Sequence, residues 1–239
     1  MRKLILLCLI MVGIMSAQAK TLVVYYSYTN NVNSIVTELT RQIKADVIRV
    51  EPAEKGLDYA ANNYAIGSEQ ISAIRNNPND AASYPAIDPV NVNMADYDCI
   101  IIGAPLWWNN MAAPLQTFLF KYGKEMAGKK IGLIVSSAGS GISGVEGDAK
   151  RLIPDGDFLS PSLWIRSAQT SKASSMIEQW LREIKYTDIA GIADMVFDTK
   201  QPYTIYDING KCLAISDATI PQLSEGLYIV NRKVVYIGR

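Results

Sequence analysis

The chain has 239 residues, of which 49% are apolar and 19% charged, a composition typical of globular proteins and not of disordered or fibrous ones. Basic and acidic side chains number 23 each. Because the chain has no excess of positive charge, we do not expect it to bind nucleic acid. The sequence has no histidine and three cysteines, with no C-x-x-C pair. These counts exclude a Ser-His-Asp triad and cysteine-rich metal or disulfide frameworks. We therefore predict no metal site and assign no side chain a catalytic role. Any reaction would depend on a bound cofactor, a carboxylate, a lysine, a tyrosine or a single thiol.

Residues 1–19 are typical of a secretory signal peptide. Arg2 and Lys3 precede twelve mainly apolar residues, 4–15, and the segment ends in Ser-Ala-Gln-Ala19. The run is shorter than the roughly 18–20 apolar residues that a membrane anchor needs. We expect cleavage after Ala19, no stable membrane anchor afterwards, and an exported protein that is periplasmic, at the outer surface or secreted. Cleavage would leave 21 basic against 23 acidic side chains, a net charge of −2.

The next part of the chain alternates between predicted strands and helices. Continuous apolar, β-branched runs predict strands at 21–26, 46–50, 99–103, 130–136 and 158–165. Apolar residues at helical spacing predict helices at about 32–44, 113–122, 145–152 and 171–185. This alternation indicates a mostly parallel sheet with helices on both faces. The segment 51–96 interrupts the order; it is rich in Asn and Tyr, with a possible helix near 59–75 and no assigned role.

The pattern changes towards the C-terminus. Short strands are predicted at 203–207, 211–215, 227–230 and 233–237. Asn209-Gly210 between two of these runs is a strong hairpin signal, so we predict a small antiparallel β appendage at 195–239. Cys99 and Cys212 could form a disulfide in an oxidising compartment, but Cys99 opens an apolar run and is predicted to be a small buried side chain.

Three predicted loops follow strand ends, and in an open parallel sheet such loops meet at the edge where ligands bind. The first loop, 27–33, opens a helix and is dense in hydroxyls and amides. Main-chain N–H groups at a helix start form an anion site that needs no Lys or Arg. Ordinary helix capping would select the same residue types, so this loop alone favours capping over an anion site.

The second and third loops favour a ligand. The second loop, 104–111, places Trp107 and Trp108 directly after a buried strand, which suggests a flat aromatic guest, although one indole could serve packing only. The third loop carries a G-x-G-x-x-G match at 139–144. A dinucleotide fingerprint normally follows the first strand of its unit, whereas this match follows the fourth. We interpret it as a flexible turn whose backbone approaches a ligand closely.

These loops together resemble those of flavodoxin-like proteins, in particular the bacterial group with a Pro-x-Trp-Trp second loop and a long insertion before strand three. The resemblance is carried by Ser27-x-Thr29, by Gly103-x-Pro105-x-Trp107-Trp108 and by the Gly/Ser loop after strand four, and it covers about 21–185. It implies an α/β fold at 20–187, a flavodoxin-like doubly wound five-stranded parallel sheet of order 2-1-3-4-5, followed by the antiparallel β appendage.

The resemblance also implies FMN as the cofactor and a set of cofactor-binding residues. The phosphate would lie at Ser27, Thr29, Asn30, Asn31 and Val32. Trp107 and Trp108 stand where the family flanks the isoalloxazine, with Pro105 and Asn109 beside them, and the other edge of the ring falls at Ser137, Gly139, Ser140 and Gly141. The family pattern is Ser-x-Thr-Gly-Asn-Thr, so Asn30 replaces Gly and Val32 replaces Thr. Asn tolerates positive φ, whereas Val removes a hydroxyl, at a cost of about 1–3 kcal/mol if a phosphate oxygen loses that partner.

The implied function is electron transfer by an exported FMN-binding protein, with the flavin shuttling electrons between protein or small-molecule partners. One alternative is a non-catalytic exported binding module that kept the scaffold but lost flavin. A second is an FMN-dependent NAD(P)H/quinone oxidoreductase, which would make the protein an enzyme. The carboxylates of Glu146 and Asp148 could lower the flavin potential, or could equally belong to a solvated helix start.

The C-terminal part resembles the sorting domains of the type IX secretion system. The resemblance is carried by 206–211 (Tyr-Asp-Ile-Asn-Gly-Lys) and 226–230 (Gly-Leu-Tyr-Ile-Val). It implies transport across the outer membrane. The alternative is a hairpin add-on that packs against the domain and has no sorting role.

Overall fold

The computed structural model describes residues 19–186, 203–207, 210–216, 226–230 and 233–237. Residues 1–18 of the predicted signal peptide, and the end of the predicted main domain at residue 187, lie outside these ranges. Within them, no helix combines the length and the apolar content needed to cross a bilayer.

A parallel sheet forms the centre of the main domain. Its strands are β1 (Thr21–Tyr25), β2 (Asp46–Arg49), β3 (Cys99–Trp107), β5 (Lys130–Ser137), and a last strand in two pieces, β6 (Asp157–Phe158) and β7 (Leu163–Arg166). The order is β2-β1-β3-β5-β6, and β7 also pairs with β5. The two-residue β4 (Asn110–Met111) pairs antiparallel with the end of β3. With β6 and β7 counted as one strand and β4 set aside, this is the predicted order 2-1-3-4-5, which is confirmed.

Helices cover both faces of the sheet. They are α1 (Asn31–Gln42), α2 (Ala61–Asn76), α3 (Ala113–Tyr122), α4 (Ser143–Leu152) and α5 (Ala173–Glu183). Successive residues of a strand point to opposite faces. Accordingly Leu22 and Val24 join one apolar cluster with helices α2, α3 and α4, while Val23 and Tyr25 join a second cluster with α1 and α5. This double coverage explains why the strands are continuously apolar.

Several predicted boundaries differ from the structure. Strand β3 continues four residues past its predicted end, to Trp107. The fifth strand is interrupted between Phe158 and Leu163, and a 3₁₀ turn at Ser167–Lys172 precedes the last helix. The possible helix in the 51–96 insertion is confirmed as α2, and two short 3₁₀ turns follow it.

The C-terminal strands form a separate antiparallel sheet. They are β8 (Tyr203–Asp207), β9 (Cys212–Ser216), β10 (Gly226–Val230) and β11 (Lys233–Ile237), in the order β11-β10-β8-β9. The predicted antiparallel appendage is therefore confirmed as a fold.

Cys99 is buried in β3, and burial raises the pKa of its thiol to about 12. The disulfide between Cys99 and Cys212 that the sequence left open is not formed.

Gly103 lets helix α1 lie directly against β3. A Cβ at this position would lie 2.9 Å from Tyr25 Cβ and 3.1 Å from Val32 Cγ1. Both neighbours are buried, so neither can move away without disturbing the core. The glycine therefore fixes the height of the α1 start above the sheet.

Substitution of this glycine tests the close approach. We expect Gly103→Ala to lower the free energy of unfolding by about 1–3 kcal/mol, because an added methyl overpacks the α1–β3 contact. Gly147→Ala is the matched control. Gly147 lies inside α4, and a Cβ at this position would have no neighbouring atom within 4 Å. Alanine should therefore raise the free energy of unfolding by about 0.5–1 kcal/mol. Urea denaturation measures the free energy of unfolding of both variants. An unchanged free energy of unfolding in Gly103→Ala would contradict the tight contact.

Candidate functional site

The first loop turns sharply from β1 into α1. Asn30 adopts a left-handed conformation with a φ of 67°, and its side chain makes no capping hydrogen bond to the helix. The buried hydroxyl of Ser27 accepts a hydrogen bond from the Asn33 main-chain N–H at 3.2 Å. The N–H groups of Asn31 and Val32 begin the helix and have no carbonyl one turn earlier to bind. This is the geometry of an anion site at a helix start.

The side chains of this loop divide between the core and the surface. Val32 is buried, with its methyl groups against Gly103, so it can meet a phosphate only through its main-chain N–H. Thr29 is exposed, and its hydroxyl accepts a hydrogen bond from Asn31 Nδ2 at 3.3 Å. The threonine-to-valine departure from the family pattern therefore concerns a side chain that faces the interior in this chain.

The second loop is a two-residue hairpin turn. Trp107 pairs with Asn110 across it, and the two residues between them, Trp108 and Asn109, have positive φ values of 45° and 62°. Two consecutive positive φ angles are typical of the type I′ turn, which suits Asn but rarely holds a bulky residue such as Trp. Pro105 lies two residues before the turn in β3, paired with Ser136 of β5.

The turn rests on the start of α4. A Cβ on Gly144 would lie 1.6 Å from the main-chain oxygen of Asn109, so only glycine allows this contact. The last glycine of the G-x-G-x-x-G match is thus required by packing against the second loop.

Aromatic rings from two other segments, the chain just after β1 and the 51–96 insertion, pack around the tryptophans. The Trp107 ring lies 4.8 Å from the ring of Tyr59, 5.6 Å from Tyr26 in a perpendicular arrangement, and 6.5 Å from Trp108, measured between centroids. Trp107 is half-buried against the core, whereas Trp108 is 44% exposed. Trp108 is therefore the more accessible of the two indoles.

These rings border an apolar cavity of about 220 Å³. Its lining residues are Tyr28, Thr29, Tyr59, Tyr64, Gly67, Leu106, Trp107 and Trp108. Tyr28 and Thr29 belong to the first loop as well, so this loop and the aromatic cavity are continuous. Burial raises the pKa of the Tyr59 hydroxyl above its ordinary value.

The 51–96 insertion forms one wall of the cavity. Tyr28 Oη donates a hydrogen bond to Asp58 Oδ1 at 2.8 Å and accepts one from the Ala60 N–H at 3.2 Å, which ties the insertion to the first loop. At the start of α2, residues 62–64 have φ values of 50°, 55° and 64°, and this left-handed turn brings Tyr64 to the cavity. A Cβ on Gly67 would lie 3.1 Å from Trp108 Cζ3, so the indole lies against the helix backbone.

The sequence analysis did not identify five of the residues that line the cavity: Tyr28, Tyr59, Tyr64, Gly67 and Leu106. Tyr28 and Leu106 lie beside predicted site residues, whereas the other three belong to the 51–96 insertion. The only signal was the high Tyr and Asn content of the insertion, which carries no information on where the segment folds.

The third loop lies outside this cavity. Ser137 is buried, and its hydroxyl accepts a hydrogen bond from Trp164 Nε1 at 2.8 Å, a partner that the sequence analysis did not identify. Gly139 and Ser140 are exposed at the tip of the loop, and Gly141 follows with a φ of 79°. The predicted contact of this loop with the cofactor stays a prediction.

The fold and the site define a class of protein: an open parallel sheet whose carboxyl edge carries a left-handed helix-start turn beside an aromatic cavity. The family described as flavodoxin matches residues 20–184, and the chain belongs to this family. This confirms the family resemblance seen in the sequence. The grouping by the Pro-x-Trp-Trp loop and the sorting-domain resemblance stay predictions.

Solved structures of similar fold extend this result. A protein assigned as a flavoprotein from Bacteroides eggerthii DSM 20697 is 25% identical with a TM-score of 0.56, and the match covers 70% of this chain and 98% of that one. A flavoprotein from Lactobacillus acidophilus NCFM, solved in complex with FMN, is 21% identical with a TM-score of 0.53, covering 68% and 98%. A Bacteroides uniformis ATCC 8492 protein with the same assignment as the first is 24% identical with a TM-score of 0.53, covering 67% and 99%. The last two matches support the fold alone.

The Tyr28–Asp58 contact predicts a measurable titration. The hydrogen bond from Tyr28, followed by that from the Ala60 N–H, holds the pKa of the Asp58 carboxyl below its ordinary value. Because the folded-state pKa is lowered, the contact stabilises the fold above the unfolded-state pKa and is lost as pH falls through the folded one. In Tyr28→Phe we expect the pKa of Asp58 to rise towards its ordinary value.

A carboxyl-detected NMR titration measures this pKa directly. Tyr64→Phe is the matched control, since Tyr64 also lines the cavity but is not among the groups that shift Asp58. An Asp58 pKa that stays the same in Tyr28→Phe would rule out the link between the insertion and the first loop.

Proposed function

We propose that this flavodoxin-family chain is an exported FMN-binding protein that carries electrons between protein or small-molecule partners. The observation that carries the proposal is the continuity, through Thr29, of an anion-binding turn and an aromatic cavity. A ligand that fills both needs an anionic group at one end and a flat apolar ring at the other. FMN has this chemistry.

The residues present fit FMN at both ends. The main-chain N–H groups of Asn31 and Val32, together with the positive end of the α1 dipole, suit a phosphate without any charged side chain. The open face of Trp108 suits the ring. FMN as the cofactor is further supported by membership of the flavodoxin family. A Lactobacillus acidophilus protein of the same fold was solved in complex with FMN.

The chain's own groups would orient the cofactor and set its surroundings. Bound FMN would supply the electron transfer. No acidic or basic side chain is among the described residues that line the cavity, and burial raises the pKa of the Tyr26 and Tyr59 hydroxyls further above its ordinary value. An apolar, uncharged cavity disfavours negative charge within it, so we expect the midpoint potential of bound FMN to lie below that of free FMN.

Export is supported by the basic, apolar and small-residue pattern of residues 1–19. The leader has no twin arginine, so the chain would cross the membrane unfolded and acquire FMN afterwards. A supply of soluble NAD(P)H is not expected outside the cytoplasm. Electrons would then come from a membrane or periplasmic donor, which favours electron transfer over the reductase alternative.

Titration with FMN tests the proposal. We expect the purified protein to quench flavin fluorescence, and FMN to quench tryptophan fluorescence, because the ring stacks on Trp108. In Trp108→Ala the affinity should fall about tenfold, since an aromatic contact with its buried area is worth about 1–3 kcal/mol. Trp108→Phe should retain most of the affinity because it keeps a ring at this position.

Two results would count against the proposal in different ways. No quenching at micromolar FMN would favour the non-catalytic binding module. Unchanged affinity in Trp108→Ala, with normal binding by the unmodified protein, would place the ring away from this indole.

A further inference from the structure

A buried carboxylate on α4 holds the residues that follow the tryptophan turn. Asp148 is 7% exposed, and its Oδ2 accepts hydrogen bonds from Asn110 Nδ2 at 3.0 Å and from the Met111 main-chain N–H at 2.9 Å. Asn110 and Met111 form β4, directly after Trp108 and Asn109. Asp148 is therefore not part of a solvated helix start.

The negative charge of Asp148 has a positive partner. Arg151 Nη2 lies 3.0 Å from Asp148 Oδ1 and donates a second hydrogen bond to Gln116 Oε1 at 2.7 Å, while Arg151 Nη1 donates to Tyr84 Oη at 3.0 Å. The Gln116 amide in turn donates to the main-chain oxygen of Met111 at 2.7 Å. Both main-chain polar groups of Met111 are thus fixed by one network that joins α3, α4 and the insertion.

This network holds the residues that follow the turn at Trp108 and Asn109, whose backbone has an unfavourable conformation. Trp108 has a φ of 45°, which is costly for a bulky side chain, and such a conformation persists only when the surrounding structure imposes it. Gly144 supports the Asn109 end of the turn by close contact, and Asp148 holds the strand that leaves it. Both supports belong to α4. Asp148 does not line the cavity, so it acts on the ligand only through the turn.

We propose that Asp148 is a positioning residue that fixes the Trp108 indole at the mouth of the cavity. The proposal rests on the proposed function in one respect: Trp108 is taken to meet the ring of FMN. The carboxylate keeps the turn in its binding conformation before the ligand arrives, so no ordering of the indole is needed on binding.

The first test compares Asp148→Asn with Glu146→Gln by FMN titration. An amide cannot accept from Met111 and Asn110 on one side and from Arg151 on the other, so Asp148→Asn should weaken FMN binding about tenfold. Glu146→Gln makes the same chemical change on the same helix, but Glu146 is not part of the network, so its affinity should stay within about twofold of the unmodified protein.

A double-mutant cycle with Trp108→Ala separates positioning from a general loss of structure. If Asp148 acts through Trp108, Asp148→Asn should change FMN affinity by less than about twofold in the Trp108→Ala background. A tenfold loss that persists in this background would overturn the proposal, as would normal affinity in Asp148→Asn alone. Should Asp148→Asn fail to fold, Asn110→Ala replaces it in the same cycle, because it removes one donor and leaves the Asp148–Arg151 pair intact.

A ligand-free readout separates this proposal from the proposed function. The chain has four tryptophans, so with 5-fluorotryptophan the ¹⁹F resonance of Trp108 can be assigned by its loss in Trp108→Phe. We expect this resonance to shift or broaden in Asp148→Asn and to stay unchanged in Glu146→Gln. An unchanged resonance in both variants would overturn the positioning role. Failure of the unmodified protein to bind FMN would instead overturn the proposed function and leave this readout intact.

Discussion

The site depends on a sharp backbone turn that places uncharged N–H groups at the edge of the sheet. Left-handed Asn30 starts α1 at this edge, and the buried Ser27 hydroxyl holds the N–H of Asn33. The helix can occupy this position because Gly103 admits the Val32 methyl groups against β3. Core packing, and not a charged side chain, therefore sets the place where an anion can bind.

The aromatic half of the site is assembled from segments far apart in the sequence. Tyr28 ties the insertion to the first loop, Gly67 lets α2 approach Trp108, and Asp148 holds the strand after the turn from the other side. Each of these contacts joins segments that lie far apart in the chain. The shape of the cavity therefore depends on tertiary structure and not on the second loop alone.

Much of the fold could be predicted because its causes are local. Apolar runs and helical spacing predict the strands and α3, and the alternation of elements implies that three loops share one edge. The helical spacing also predicts Val32 on the apolar face of α1. The structure buries this side chain in the core, so it cannot contact a phosphate. No local rule places Trp108 at a positive φ or Tyr64 at the cavity, because the neighbouring segments impose both positions.

A ¹H–¹⁵N NMR titration with FMN shows where the cofactor lies, since it reports on main-chain N–H groups and indole N–H groups together. We expect the largest shifts at the N–H groups of residues 29–33 and at the indole of Trp108, with little change at the amino ends of the strands. Saturable binding whose shifts bypass the 29–33 turn would contradict this expectation, because the phosphate would then be held elsewhere.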